Sequence, residues 1–262
     1  MTNDATAANP TGAQSPAGGA ATADAPHISV VAPLWNETAN VRPLADRVFA
    51  AFKDETRSLE LLLVDDASTD GTWEQILAAR KAYPRIRALR LLQHRGQSAA
   101  LWAGFQASRG QLIATLDGDL QNDPADLPRL LAALSDCDLA CGVRARRQDN
   151  FRRRVSSRLA RRARKLALGV DFQDTGCNLR AFKRSVLPML FPFDGLHRFM
   201  PILAHDAGAV VRELSVAHHP RVAGKSKYGV WNRLGRGIFD LVVISWTRKR
   251  HLRNLQVQEQ RD

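Results

Sequence analysis

Three observations predict an α/β fold built on a mostly parallel sheet with helices on both faces. Short apolar runs alternate with stretches of helical apolar spacing four times in succession. Each run stops at a cluster of turn-forming residues, and the side chains able to do chemistry collect just after the runs. In an open parallel sheet a ligand binds beyond the carboxyl ends of the strands. The segments Pro33 to Glu37, Asp65 to Gly71 and Asp117 to Gln121 all fall at that edge.

The first strand is expected over Ile28 to Ala32, stopped by Pro33, with a helix from about Glu37 to Asp54. Glu60 to Val64 reads as the second strand, and its acidic turn supplies Asp and Ser to cap a helix from about Thr72 to Ala82. A third strand, Ile86 to Leu92, precedes His94-Arg95-Gly96-Gln97-Ser98 and a helix to about Ser108. The fourth runs from Leu112 to Leu116. Further on, Leu139 to Val143, Cys177 to Phe182 and Val210 to Ala217 read as strands, the Arg-rich stretch between the first two of these as a helix, and His218 to Gly229 as a polar loop. No internal repeat is present.

The fourth strand delivers Asp117-Gly118-Asp119. Alternate side chains of a strand share a side, so the two carboxylates are expected to converge on one hard divalent cation, with Gly118 allowing close backbone approach. Bulk properties narrow the setting. The chain has 262 residues, 45% of them hydrophobic, enough for a single catalytic domain. Residues 1–26 are nearly all small and polar, with neither the basic start nor the apolar block of a secretory signal, and are expected to form a disordered leader. Cys137, Cys141 and Cys177 form no C-x-x-C pair and argue against a disulfide framework or a zinc site. A cytoplasmic location follows as the expectation.

The net charge of +12 attracts any polyanion. Basic residues crowd between Arg144 and Lys165 and again from Arg248 to Arg253. The first cluster has one aromatic, Phe151, and neither zinc-finger spacing nor an RNA-binding aromatic signature is present, so no nucleic-acid partner is expected. No segment reaches the roughly 18 apolar residues that span a bilayer. Trp231, Leu234, Ile238, Leu241, Val242 and Trp246 nevertheless share one face of a helix, with Arg233, Arg236 and Asp240 opposite. Such a helix either docks on the protein's own core or lies in a membrane interface, anchored by Trp246 and the terminal cations.

Taken together, Pro33-Leu34-Trp35-Asn36-Glu37, Val64 through Thr72 and Leu116-Asp117-Gly118-Asp119-Leu120-Gln121 resemble family 2 glycosyltransferases of the Rossmann-like GT-A fold. Gly142-Val143-Arg144, Asp174 through Arg180, His197-Arg198-Phe199 and His218 through Gly229 are similar to the branch that glycosylates polyprenyl phosphates, which includes dolichyl-phosphate mannose synthase. The resemblance runs from about Ile28 to Arg250. It implies a catalytic domain over residues 27–229, followed over 230–262 by the amphipathic basic helix and tail.

By this resemblance Pro33, Trp35, Glu37, Asp65 and Asp66 would hold the base and ribose of a nucleotide-sugar, with Trp35 standing where relatives often carry Tyr. Asp117 and Asp119 would bind nucleotide and metal, Mg2+ or Mn2+, with Gln121 nearby. Arg144, Arg153, Ser157, Arg221 and Lys227 match positions that bind donor or acceptor phosphates, a task suited to the bidentate guanidinium. A cation on the leaving diphosphate removes the need for a proton donor, and a lipid phosphate is already ionised, so no base is required. Asp174 has three readings: it orients the arginines, accepts a proton, or pairs structurally with Arg180. The implied reaction is an inverting transfer of a hexose from a GDP- or UDP-sugar to undecaprenyl or dolichyl phosphate. It would run at the inner face of the cell membrane, where the chain is peripheral or recruited by a separate membrane protein. Two alternatives are a family 2 enzyme acting on a sugar hydroxyl and a non-catalytic protein that binds anionic lipid.

Overall fold

The computed structural model describes residues 26–144, 162, 165, 169–219, 240, 242–246 and 250. The leader, the Arg-rich segment with Arg153 and Ser157, the loop with Arg221 and Lys227, and most of the expected C-terminal helix lie outside the described residues.

Among the described residues seven strands form one sheet in the order β3-β2-β1-β4-β6-β5-β7. They are β1 (Ile28–Leu34), β2 (Leu59–Asp65), β3 (Ile86–Arg90), β4 (Leu112–Thr115), β5 (Leu139–Arg144), β6 (Arg180–Lys183) and β7 (Val211–Val216). β1 pairs in parallel with β2 and β4, as do β2 with β3 and β5 with β7. β6 runs antiparallel between β4 and β5. The order reverses at β1, so the carboxyl ends of β1 and β4 are the expected ligand position in such a sheet.

Strand alternation sorts the core into two layers. Val30, Ala32, Leu34, Leu61 and Leu63 face α1 (Val41–Ala51), α2 (Thr72–Ala82) and α4 (Leu127–Ala132). Val31, Leu62 and Val64 face α3 (Gln97–Ala107) and α5 (Leu196–Asp206). Gly104 lets α3 lie directly on β1, because a Cβ there would collide with Val31 Cγ1.

Several boundaries differ from expectation, among them β3, which ends at Arg90 rather than Leu92, and β4, which ends at Thr115 rather than Leu116. Pro33 does not stop β1, which continues to Leu34. The Val31 carbonyl accepts from Leu116 N, and Pro33, two residues on, points the same way, past the end of β4, so its missing N–H forfeits no ladder bond. The helix expected from Glu37 begins as a 3-10 turn over Thr38–Asn40, with α1 starting at Val41. The strand expected from Cys177 starts at Arg180. α2 matches its expected range, yet Gly71 is its N-cap, and Asp70 accepts from Thr72 N (3.1 Å) and Thr72 Oγ1 (2.5 Å) from one position earlier. The sequence pattern did not reveal α5, whose internal Pro201 breaks the usual helix signal.

Candidate active site

The loops after β1 and β2 are laced together. Asn36, at φ 51°, accepts from Thr69 N at 2.9 Å through Oδ1, while its own N–H donates to Ser68 Oγ at 2.9 Å. Glu37 N donates to Thr72 Oγ1 (2.9 Å), and Thr38 Oγ1 donates to the Asp70 carbonyl (2.7 Å). Glu37 Oε2 accepts from Asn40 Nδ2 at 2.6 Å. Ala67, also left-handed at φ 55°, marks a second strained position in these loops.

Above this lacing Trp35 stacks on His94, with ring centroids 4.0 Å apart and planes inclined by 20°. His94 follows β3, in a segment that carries no motif of its own in the sequence. An aromatic ring just beyond the carboxyl end of a parallel strand is the signal that could have found it. Asp65 and Asp66 lie between the two rings in strand order, and both are buried. Asp65 Oδ1 accepts from Ser68 N (3.1 Å), and Oδ2 lies 3.1 Å from Arg90 Nε. Asp66 Oδ1 accepts from Arg95 N and Oδ2 from Gly96 N, both at 2.8 Å, with His94 Nδ1 2.9 Å from Oδ2. Asp66 thereby shapes the loop that carries His94, while Asp65 braces its own loop and the end of β3.

The acidic pair follows β4, the neighbour of β1 in the sheet. β4 ends at Thr115, so Asp117 and Asp119 lie on a turn rather than on alternate positions of a strand. Leu120, at φ 60°, lies in the same turn. Gly118 is pressed against the end of β1: a Cβ there would stand 2.5 Å from Leu34 Cδ2 and 2.9 Å from the Pro33 carbonyl oxygen. Gln121 N donates to Asp119 Oδ1 at 3.2 Å. Asp117 accepts from three side-chain amides: Gln97 Nε2 (2.7 Å) and Asn178 Nδ2 (2.9 Å) on Oδ1, and Asn122 Nδ2 (3.2 Å) on Oδ2. Burial raises the Asp117 carboxyl above its ordinary range, the negative charge of Asp119 adds to the effect, and Asn178, Arg144 and Gln97 oppose it. Gln97, Asn122 and Asn178 were not singled out in the sequence, although Asn178 lies inside the Asp174-to-Arg180 motif.

β6 brings the remaining groups. Because it runs against β4, its entry lies beside the exit of β4, with Thr115 opposite Arg180. Thr115 Oγ1 donates to the Asn178 carbonyl at 2.6 Å, fixing that entry. Asp174 is not paired with Arg180. It receives Arg144 bidentately, Nε to Oδ2 at 2.7 Å and a terminal nitrogen to Oδ1 at 2.8 Å. Arg180 is buried and donates to the carbonyls of His197 (2.6 Å) and Thr175 (2.9 Å). Two residues beyond β7, the His218 position bridges to Asn122, and His219 N donates to the Gln121 carbonyl at 2.8 Å. The polar loop that carries Arg221 and Lys227 therefore starts against the acidic turn.

Of the expected site residues, the structure gathers Pro33, Trp35, Glu37, Asp65, Asp66, Asp117, Asp119, Gln121 and Arg144 at the carboxyl edge of the sheet. Arg153, Ser157, Arg221 and Lys227 fall outside the described residues. Among the described residues no three of His, Cys, Asp and Glu form a closed metal cage. Two adjacent hard carboxylates suit instead Mg2+ or Mn2+ bound jointly with phosphate oxygens, and the donor set fits that use.

A switch point between β1 and β4, with an aromatic stack and an acidic pair at the same sheet edge, defines an α/β protein whose candidate ligand site lies at the carboxyl ends of the strands. The family model described as glycosyl transferase family 2 matches residues 29–191, and the chain belongs to that family. The dodecaprenyl-phosphate galacturonate synthase of Rhizobium johnstonii is 40% identical over 228 residues, which cover 83% of this chain and 66% of that protein. An undecaprenyl-phosphate 4-deoxy-4-formamido-L-arabinose transferase of Pseudomonas aeruginosa is 40% identical over 222 residues, covering 84% of this chain and 65% of its own. The chain thus spans about two thirds of the length of these relatives. Among solved structures, glucosyl-3-phosphoglycerate synthase from Mycobacterium tuberculosis with Mn2+, UDP and phosphoglyceric acid aligns with a TM-score of 0.65 at 20% identity, over 85% of this chain and 78% of that one. A Pyrobaculum calidifontis mannosyltransferase with GDP-Man and Mn2+ aligns at 0.59 and 20% identity, over 86% and 65%. These structural likenesses establish the GT-A fold.

Proposed function

We propose that the chain transfers a sugar, a hexose in the simplest case, from a GDP- or UDP-linked donor to a polyprenyl phosphate, with inversion, at the inner face of the cell membrane. The observation that carries this reading is the Asp117/Asp119 turn beyond β4, at the same carboxyl edge of the sheet as the Trp35–His94 stack beyond β1 and β3. The relatives named for dodecaprenyl-phosphate and undecaprenyl-phosphate transfer support the acceptor class.

The base would stack on Trp35, with His94 backing the ring, while the laced loops hold both without further ordering. Asp119, with Asp117 and Gln121 beside it, would hold Mg2+ or Mn2+, which when bound supplies positive charge to the departing diphosphate. Arg144, Arg153, Ser157, Arg221 and Lys227 would receive the phosphates. Asp174 has both oxygens committed to Arg144 and acts as a positioning group, which agrees with an acceptor that needs no base.

Membrane contact is assigned to the helical residues 242–246. Ile244 is buried in the core, whereas Trp246 is 60% and Val242 62% exposed, and Arg250 lies 5.4 Å over the Trp246 ring. One side of this segment is docked and the other is free to meet an interface in the manner of tryptophan and arginine anchors. No helix among the described residues is long and apolar enough to cross a membrane.

The test is transfer from radiolabelled nucleotide-sugars to undecaprenyl phosphate in vesicles with Mg2+ or Mn2+. A lipid-linked product that disappears in Asp119→Asn is expected. Failure of every donor, with the protein folded, would remove the proposal.

A further inference from the structure

We infer that Gln97, Asn122 and Asn178 are positioning residues of the cation site: three uncharged amides that aim the Asp117 carboxylate without neutralising it, while Asp174 keeps the Arg144 guanidinium away from it. The inference rests on the reading of Asp117 and Asp119 as the cation site and names the residues that keep that site negative.

The three amides reach Asp117 from separate parts of the chain: the first residue of α3, the turn after β4, and the approach to β6. None brings charge. A buried carboxylate that served stability alone would be better matched by the guanidinium available next to it, because charge-assisted pairs are the stronger ones. Arg144 is close enough to act electrostatically on Asp117, yet both Asp174 oxygens hold it in a bidentate pair, with side chains 19% and 7% exposed. The positive charge beside the site is thus matched by a carboxylate outside it.

Asn178 shows which way the amide is aimed. It is 95% removed from solvent, and its Oδ1 has no hydrogen-bond partner among the described residues while its Nδ2 faces Asp117. Turning the amide over would point a carbonyl oxygen at a carboxylate. The orphaned acceptor is what remains when the donor is committed to Asp117. Oδ1 of Asp117 receives two amides and Oδ2 one, which leaves the acceptor capacity on Oδ2 for a further partner.

The experiment titrates Mn2+ into the full chain with UDP or GDP, follows free Mn2+ by electron paramagnetic resonance, and records the melting temperature of each metal-free variant. Gln97→Met and Asn178→Leu are expected to weaken Mn2+ binding about 10- to 100-fold, as removal of outer-sphere partners does elsewhere. Metal-free melting of Gln97→Met should stay within a few degrees of the unsubstituted chain, a separation that a purely structural role would not produce. Gln97→Lys keeps a donor but adds charge, and is expected to bind Mn2+ as weakly as Gln97→Met. If Asn178→Leu does not fold, the two Gln97 variants decide alone. Mn2+ binding by Gln97→Met within twofold of the unsubstituted chain overturns the aiming role, and an unaffected Gln97→Lys overturns the charge argument. If the unsubstituted chain takes up no Mn2+ with either nucleotide, the cation-site reading itself fails and the inference with it.

Discussion

The β1–β4 half and the β5–β7 half build the same sheet edge by different means. In the first, function is prepared by neighbouring loops that brace one another through several modest contacts: Asn36 with Ser68 and Thr69, Glu37 with Thr72, Thr38 with Asp70. In the second, an antiparallel strand brings in a few strongly committed side chains, above all the Arg144–Asp174 pair and Asn178. Redundant neutral bonds tolerate the loss of one member. A nearly buried ion pair does not, because the abandoned partner stays charged in a poor solvent. Damage to the first half should therefore be local and shallow, and damage to the second deep.

The sharpest test is made at the joint between the halves. Asp119→Asn is expected to lower transfer by about a hundredfold to a thousandfold while the protein stays folded, the usual magnitude when a preorganised charge on the leaving group is lost. Circular dichroism beside the transfer assay checks both points. Next comes Asp174→Asn, which strands Arg144 and should destabilise by about 3–5 kcal/mol, lowering the melting temperature by about 6–20 °C. A drop under 2 °C would show that the second half is as redundant as the first.

His197, on α5, gives the pH dependence. Burial pushes its imidazole down from 6.5 to about 3, helped by the charges of Arg198 and Arg180, and Ser98 Oγ lies 2.7 Å from its Nδ1. Above pH 6.5 both folded and unfolded forms are neutral there and the group contributes no pH dependence. As pH falls from 6.5 towards 3, the unfolded chain takes up a proton that the folded chain refuses, and stability drops by up to about 1.4 kcal/mol per pH unit. Denaturant titrations at pH 7 and pH 4 should show this slope, and His197→Gln should flatten it.

Smaller still is Asn36→Ala, which removes one acceptor and places alanine at a positive φ; a loss of about 1–2 kcal/mol is expected, read as a shift of the urea midpoint. Trp35→Tyr should leave nucleotide affinity nearly unchanged, since a stacking face persists, whereas Trp35→Ala should weaken it about tenfold by calorimetric titration.

The two halves also differ in how far they can be read from the chain alone. Ile28–Leu34, Leu59–Asp65 and Thr72–Ala82 announce themselves through apolar period and turn residues within a dozen positions, so the parallel layer and its acidic edge were legible before any coordinates. The place of Asp117 and Asp119 at the candidate site was equally plain. The turn that carries them was not, because β4 is only four residues long and ends at Thr115, one position before the expected Leu116. The partner of Asp174 was open among Arg180, the other arginines and a proton, and only the pairing of β5 with β6 selected Arg144.

By itself, then, the chain determined what depends on neighbours in sequence: which segments are strands, where the turns fall, and which oxygens gather after β4. Tertiary structure decided what depends on strand direction: that β6 runs against β4 and lays Asn178 on Asp117. It also decided that Arg144 turns to Asp174 and that His94 comes under Trp35. Local patterns report period and polarity over a few residues, whereas the orientation of a strand and the partner of a buried charge are set by the packing of segments about 30 to 70 positions apart, which no local pattern encodes.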